Sequence, residues 1–201
     1  LQSQADHTTT VGGDGQSSPR RVAISTHPKV DQLMTCTWSQ GYPYNLTCPD
    51  YYLEKDKDES AALPQRNGPA TGCTATAMAQ VLNFYKYPEK LKSAIPSYSI
   101  TYTSEKDGSR KSITLPIIKR NTEIDWDNMR DTYSWESGHV ANAQDSAVAN
   151  LMLFCGQAVK MHYGPSSGAN FSAEAYINYF GFDSRAYVGE RSQYSIDDWF
   201  D

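Results

Sequence analysis

Long apolar runs are missing from this 201-residue chain. No stretch approaches the roughly 18 consecutive apolar residues of a membrane-spanning helix, which excludes a span of that kind. Basic runs are missing too. With a formal net charge of −5, the chain is a poor partner for nucleic acid or an anionic membrane. Cysteine and histidine are scarce, four of each, and no CxxC pair or paired histidines accompany them, so a zinc cluster is excluded. No cofactor is implied. Leu1 opens no leader peptide, and any secretion signal is expected to have been removed before this chain begins.

Aromatic residues are abundant by contrast. Fourteen Tyr and four Trp, with Gly and Pro spread through many turns, suit a loop-rich α+β domain better than a helical bundle. Residues 1–28 hold almost nothing to bury and read as a flexible linker; Arg20-Arg21 inside it is an easy site for a trypsin-like protease. From residue 29 the composition changes. Leu33, Met34, Trp38, Tyr42, Pro43, Tyr44 and Leu46 form an apolar, turn-rich segment expected to pack on a core, with Gln40 as a polar residue among the aromatics. The charged run Glu54–Glu59 reads as an exposed loop.

Two alternating stretches, 97–103 and 111–115, flank Asp107-Gly108 and predict a β-hairpin. Ile124 to Met129 should return the chain to the core. Residues 144–161 form the most persistent apolar helix pattern, which places that helix centrally and makes Cys155 a core residue. A tight loop, Pro165 to Gly168, follows. Ser172 then caps a shorter helix that ends at Gly181. Ser195 with Asp198 announces one more helix start. Cys36 and Cys48, twelve apart, can close a small loop or stand as two free thiols; the free pair is preferred.

The stretch with chemical potential is Ala70-Thr-Gly-Cys73-Thr-Ala-Thr-Ala-Met-Ala-Gln80. A cysteine there opens a helix whose apolar positions continue through Met78, Val81, Leu82 and Tyr85, with Pro88 as the stop. Helix N-termini present unpaired N–H groups and a partial positive charge, which favours an anion, and a thiolate is the nucleophilic form. Read alone, Cys73 is either a nucleophile or a structural cysteine on an Ala-rich helix. A thiolate nucleophile needs a base. His7 and His27 lie in the tail, His139 falls in a polar loop and is expected to be solvated, and His162 follows the long helix near its negative end. None of the four stands in a setting that suggests a catalytic base.

Taken together, Trp38-Ser-Gln40-Gly-Tyr-Pro43-Tyr-Asn-Leu-Thr-Cys48-Pro49, the Cys73 stretch, Tyr87-Pro88 and Met161-His-Tyr-Gly164-Pro-Ser-Ser-Gly168 resemble the streptopain family of bacterial cysteine peptidases. The likeness runs from about Trp38 to the last residue, and its form is that of Gram-negative anaerobes of the Bacteroides and Prevotella kind. It implies a papain-like fold, here the N-terminal, nucleophile-bearing portion of the catalytic domain over residues 29–201, with a central apolar helix and a β-hairpin. Residues 1–28 would then be a linker or prodomain remnant. The resemblance implies Cys73 as nucleophile and Gln40 as oxyanion-hole glutamine. It makes Gly164, Ser166, Ser167 and Gly168 part of the non-primed side of a peptide cleft, with a weak preference for a hydrophobic residue two positions before the cut.

The family's catalytic histidine sits in a later Gly-Gly-His type block, and no histidine here aligns with it. The expected partners are therefore a protein or peptide substrate, the protein's own prodomain and a C-terminal segment carrying the base. This chain alone is expected to be inactive. The function implied is a secreted thiol endopeptidase, made as a zymogen and working through an acyl-enzyme. The alternatives are a non-catalytic peptide-binding or adhesive module that kept the fold, and an acyltransferase that kept the site.

Overall fold

The computed structural model describes residues 31–49, 68–104, 107–134, 139–164, 166–195 and 198. The expectations for residues 1–28, for the Glu54–Glu59 loop and for the chain beyond Asp198 lie outside these residues. Among the described residues the helices and strands follow in the order α1 (Cys73–Tyr85), β1 (Tyr98–Thr103), β2 (Arg110–Leu115), α2 (Ala143–Ala158) and α3 (Ala173–Phe180). A short 3-10 turn at Arg191–Gln193 had no signal in the sequence.

α2 is the central element. Val148, Ala149, Leu151, Met152 and Cys155 are fully buried, and α1 packs against it through a core that includes Ala75, Met78, Ala79 and Leu82. Each large aliphatic side chain so buried stabilises the fold by roughly 1.5–3 kcal/mol. Asn142 caps α2 with a reciprocal box, its side chain accepting from the Gln144 and Asp145 amides while Asp145 accepts from the Asn142 amide.

The helix stops at Ala158, three residues short of the apolar pattern. Lys160 turns left-handed at φ 52°, the Lys160 amide bonds Gln157 O, and the Met161 amide returns to Gly156 O at 2.8 Å. α1 closes the same way on Lys86, at φ 48°. A lysine fills the position where glycine usually announces this ending. That substitution hid the stop of α2, whereas α1 ends at Tyr85, just before the Pro88 that marks its stop.

β1 and β2 pair antiparallel from Tyr98↔Leu115 to Thr103↔Arg110. The loop between them is closed by the Ser104 amide on Ser109 O and the Gly108 amide on Ser104 O, longer than the two-residue turn that Asp-Gly suggests. Buried Gln157 ties α2 to both ends of the hairpin, donating to Pro96 O and Pro116 O. Residues 118–124 lie beside 89–95 through main-chain bonds, and Ile124 and Met129 enter the core as expected. α3 begins after Ser172 and ends at left-handed Gly181, although the Ser172 side chain makes no capping bond. The Ser195 hydroxyl does accept the Asp198 amide at 3.1 Å, as the last helix signal required.

The aromatic segment before α1 divides in two. Trp38, Tyr42, Pro43 and Tyr44 are buried and Leu46 is half-buried. Leu33 and Met34, expected in the core, are not: Leu33 is 67% exposed and Met34 37%. The anchor is Trp38, whose indole donates to Arg130 O at 2.8 Å and whose ring meets Tyr44 and Tyr133. Leu33 and Met34 carry no such partner ring among the described contacts.

Candidate active site

Cys73 is the first residue of α1 and is exposed, whereas Cys36, Cys48 and Cys155 are buried; all four are free thiols. The chain enters α1 through Gly72 at φ 88°, a conformation L side chains rarely adopt. A Cβ at Gly72 would also lie 2.5 Å from the Met161 Sδ and Cε atoms. Both restrictions act at one residue, so Gly72→Ala should cost roughly 2–4 kcal/mol, left-handed strain plus overpacking. A urea titration of the variant should show a lower midpoint with an unchanged slope.

Two threonines brace the entry. Buried Thr71 and Thr76 share a hydroxyl–hydroxyl bond of 2.8 Å, and Thr76 also bonds Gly72 O through both its amide and its hydroxyl. No acidic residue stands in the first turn of α1, so no carboxylate competes for the positive end of the helix beside Cys73.

Gln40 comes to this entry through its backbone. Its carbonyl accepts the Thr71 amide at 3.1 Å, which sets Gln40 beside the residue two before Cys73. The turn that follows is locked by bonds from Asn45 to Gly41, Leu46 to Pro43 and Cys48 to Asn45. The Asn45 amide group reaches Gly68 O and Pro69 O, and Thr47 donates to Ala149 O on α2. The sequence separation of thirty-odd residues between Gln40 and Cys73 is thus bridged by two parallel tethers. Neither threonine nor Asn45 stood out in the sequence, because each acts through a partner far along the chain.

The third component is the loop after α2. His162 and Gly168 exchange two main-chain bonds, 2.9 and 3.2 Å, closing the loop into a ring. Inside it the Ser167 hydroxyl accepts the Gly164 amide and donates to Gly164 O. Ser167 is therefore spent on the loop's own shape, whereas Ser166 and Gly168 are exposed and Gly164 is buried. Pro165 lies outside the described residues. The position a Gly72 Cβ would take is 3.5 Å from the Ser167 Cβ, and the Thr74 hydroxyl donates to Ala169 O at 2.9 Å. The structure brings Cys73, the Gln40 backbone and the 164–168 loop to one end of α1.

The histidines do not join them. His7 and His27 lie outside the described residues. His139 is not solvated as expected: its Nε2 meets Asp145 Oδ2 at 2.7 Å, with Asp145 only 5% exposed, and its ring faces Tyr42 edge-on. The Asp145 carboxylate in the first turn of α2 captured it, and the Asn142-to-Asp145 spacing carried that signal. His162 is exposed. Among the described residues no hydrogen bond links a histidine to Cys73.

The buried thiols are chemically quiet. Burial pushes Cys48 up to about 12, against a lowering bond from Tyr163, and pushes Cys155 higher still. Cys36 is raised by burial too, partly offset by its bond to the Asn83 side chain. A cavity of about 240 Å³ opens beside Cys36, lined by Asn83, Phe84, Lys86 and Asp131 at the far end of α1 from Cys73.

A family model described as the Peptidase C10 family matches residues 38–201. Streptopain of Streptococcus pyogenes is 33% identical over 165 residues, covering 81% of this chain and 39% of that protein. A thiol protease/hemagglutinin, PrtT, of Porphyromonas gingivalis is 38% identical over 61 residues, 30% of this chain and 6% of that protein. Among solved structures, active wild-type interpain A cysteine protease of Prevotella intermedia superposes with a TM-score of 0.61 at 37% identity, covering 85% of this chain and 62% of that one. A prointerpain A fragment gives 0.60 at 36% identity, with 85% and 48% covered. The chain thus spans well under half the length of the streptopain it matches, and its papain-like α+β fold is that of interpain A.

Proposed function

Because the chain belongs to the Peptidase C10 family, the streptopain-like cysteine peptidases, we propose that it is the nucleophile-bearing part of a secreted bacterial cysteine endopeptidase. The observation that carries this reading is the main-chain bond from Thr71 to Gln40 beside an exposed cysteine that opens α1. It sets a glutamine and an exposed thiol on adjoining backbone at a helix N-terminus.

In the reaction, an imidazole takes the Cys73 Sγ proton and the thiolate attacks the scissile carbonyl carbon. The resulting oxyanion is held by the Cys73 backbone N–H and the Gln40 side-chain amide. As the C–N bond breaks, the imidazolium protonates the leaving amine. Water, activated by the same imidazole, then hydrolyses the thioester and frees Cys73. The peptide's non-primed side runs along Gly164, Ser166, Ser167 and Gly168, with Ser166 and Gly168 offering the open contacts.

We assign the imidazole to a segment of the whole protein beyond these 201 residues. The chain covers only 39% of streptopain, and both described histidines are unconnected to Cys73. Residues 29–201 then form the first part of the catalytic domain, and residues 1–28 join it to a prodomain that keeps the enzyme a zymogen. The prointerpain neighbour supports that last assignment.

The test is thiol labelling of the full-length protein with a peptidyl epoxide at pH 8. Cys73 should be modified within minutes and protected by competing peptide. Cys48 should stay unlabelled until the protein is unfolded, because a thiol at about 12 has only about one part in ten thousand as thiolate at that pH. Labelling of Cys48 or Cys155 at the rate of Cys73, or no protection by peptide, would overturn the assignment. An adhesive or peptide-binding module predicts instead that Cys73 alkylates no faster than a model thiol.

A further inference from the structure

We propose that Thr74 is a positioning residue: its hydroxyl fixes the spacing between the nucleophile and the non-primed lining of the cleft. This rests on the peptidase reading above and concerns one residue that the reading leaves idle. Thr74 directly follows Cys73 and is half-buried, yet its hydroxyl is turned away from its own helix and donates to Ala169 O at 2.9 Å. A threonine in a first helical turn ordinarily offers its hydroxyl to local backbone. Here it crosses ninety-five positions of sequence.

The geometry around it explains what that bond does. The segment from His162 to Gly168 is closed at its ends by the His162–Gly168 pair and within by Ser167 on Gly164. Its incoming strand is held from outside by the Tyr98 hydroxyl on Met161 O at 2.7 Å, and by the Met161 thioether against Gly72. Its outgoing strand, at Ala169, is held to α1 by Thr74. A ring fixed at one strand can pivot as a body; fixed at both it cannot. Without the Thr74 bond the loop keeps its shape but loses its register with Cys73. A peptide that must touch both loop and thiol then binds less well, whereas the thiol itself is unchanged.

Three variants of the full-length protein separate this from a general structural role. Thr74→Val keeps the side-chain shape and removes the hydroxyl. It should raise KM about fivefold for peptides that fill the non-primed side, the loss of one neutral hydrogen bond, with kcat within about twofold. Hydrolysis of a small activated acetate ester, which cannot reach the loop, should keep its kcat/KM. Thr74→Ser should restore the peptide KM. Amide exchange in the peptide spanning residues 166–171 should quicken in Thr74→Val and not in Thr74→Ser. That readout holds even if a variant is poorly active.

The proposal is overturned if Thr74→Val leaves the peptide KM and the exchange of 166–171 unchanged. It is equally overturned if ester and peptide turnover fall together, which would place the effect on the nucleophile. Failure of the peptidase reading looks different: the wild-type full-length protein would then turn over no peptide at all, or Cys73→Ala would keep the wild-type rate, whatever Thr74 does.

Discussion

Cys73→Ala in the full-length protein is expected to abolish peptide hydrolysis, with kcat/KM falling by a factor on the order of 10⁴ or more. The size follows from the proposed role: with Cys73 as nucleophile, its removal leaves only binding and oxyanion stabilisation behind. The other three thiols cannot substitute. Cys36 lies at the opposite end of α1, Cys48 is held as a thiol by burial, and Cys155 is sealed inside α2. Stability should barely change, because Cys73 is exposed and its side chain is absent from the core. Fluorogenic-peptide kinetics with a thermal melt on the same sample check both halves. Substantial residual turnover that an alkylating agent still removes would point to a different thiol.

Gln40→Ala should lower kcat by about 10²–10³, the usual cost of one oxyanion donor, with KM close to unchanged. This substitution is unusually clean here. The tie between Gln40 and the entry to α1 runs through the Gln40 carbonyl, not its side chain, so alanine keeps the Thr71 bond and deletes only the amide. The neighbouring turn is independently secured by Asn45 on Gly68 and Pro69. A loss carried by KM instead of kcat would make Gln40 a substrate-binding group. A large fall in melting temperature would make it structural. The expected signature is a kcat defect in a stable protein.

Much of the architecture is legible in local patterns. The alternating strands around Asp107-Gly108, the apolar face of α2 and the Ser172-to-Gly181 helix each follow from period and punctuation within a dozen residues. So does the placement of Cys73, because Gly72 before it and the Ala-rich turns after it write a helix start into adjacent positions. What escapes local reading is whatever depends on a distant partner. The stop of α2 uses Lys160 in a left-handed position, so the glycine that would mark it is missing; α1 closes on Lys86 the same way, but there Pro88 marks the stop. Leu33 and Met34 look like core residues from composition, yet the core is anchored at Trp38 by a carbonyl ninety-two positions away. His139 looks solvated, but the carboxylate that holds it is already committed to capping α2.

The site divides along the same line. Its residue types were readable as motifs, and the likeness of several ordered blocks to one peptidase family gave them roles. Their assembly was not readable. Three contacts bring the parts together: Thr71 on Gln40, Met161 against Gly72, and Thr74 on Ala169. Each spans at least thirty positions and uses a residue without a distinctive pattern. Gly72 is the exception that links the two levels. It is visible as punctuation in the sequence, and it is also the point where the loop after α2 comes within contact of the nucleophile's helix.

The most direct measurement is an acid quench of the full-length protein during turnover of a slow peptidyl ester, followed by intact mass and peptide mapping. The account predicts an acyl group as a thioester on the peptide that contains Cys73, absent from Cys73→Ala. Turnover with no adduct on Cys73, or with the adduct on another residue, would contradict it.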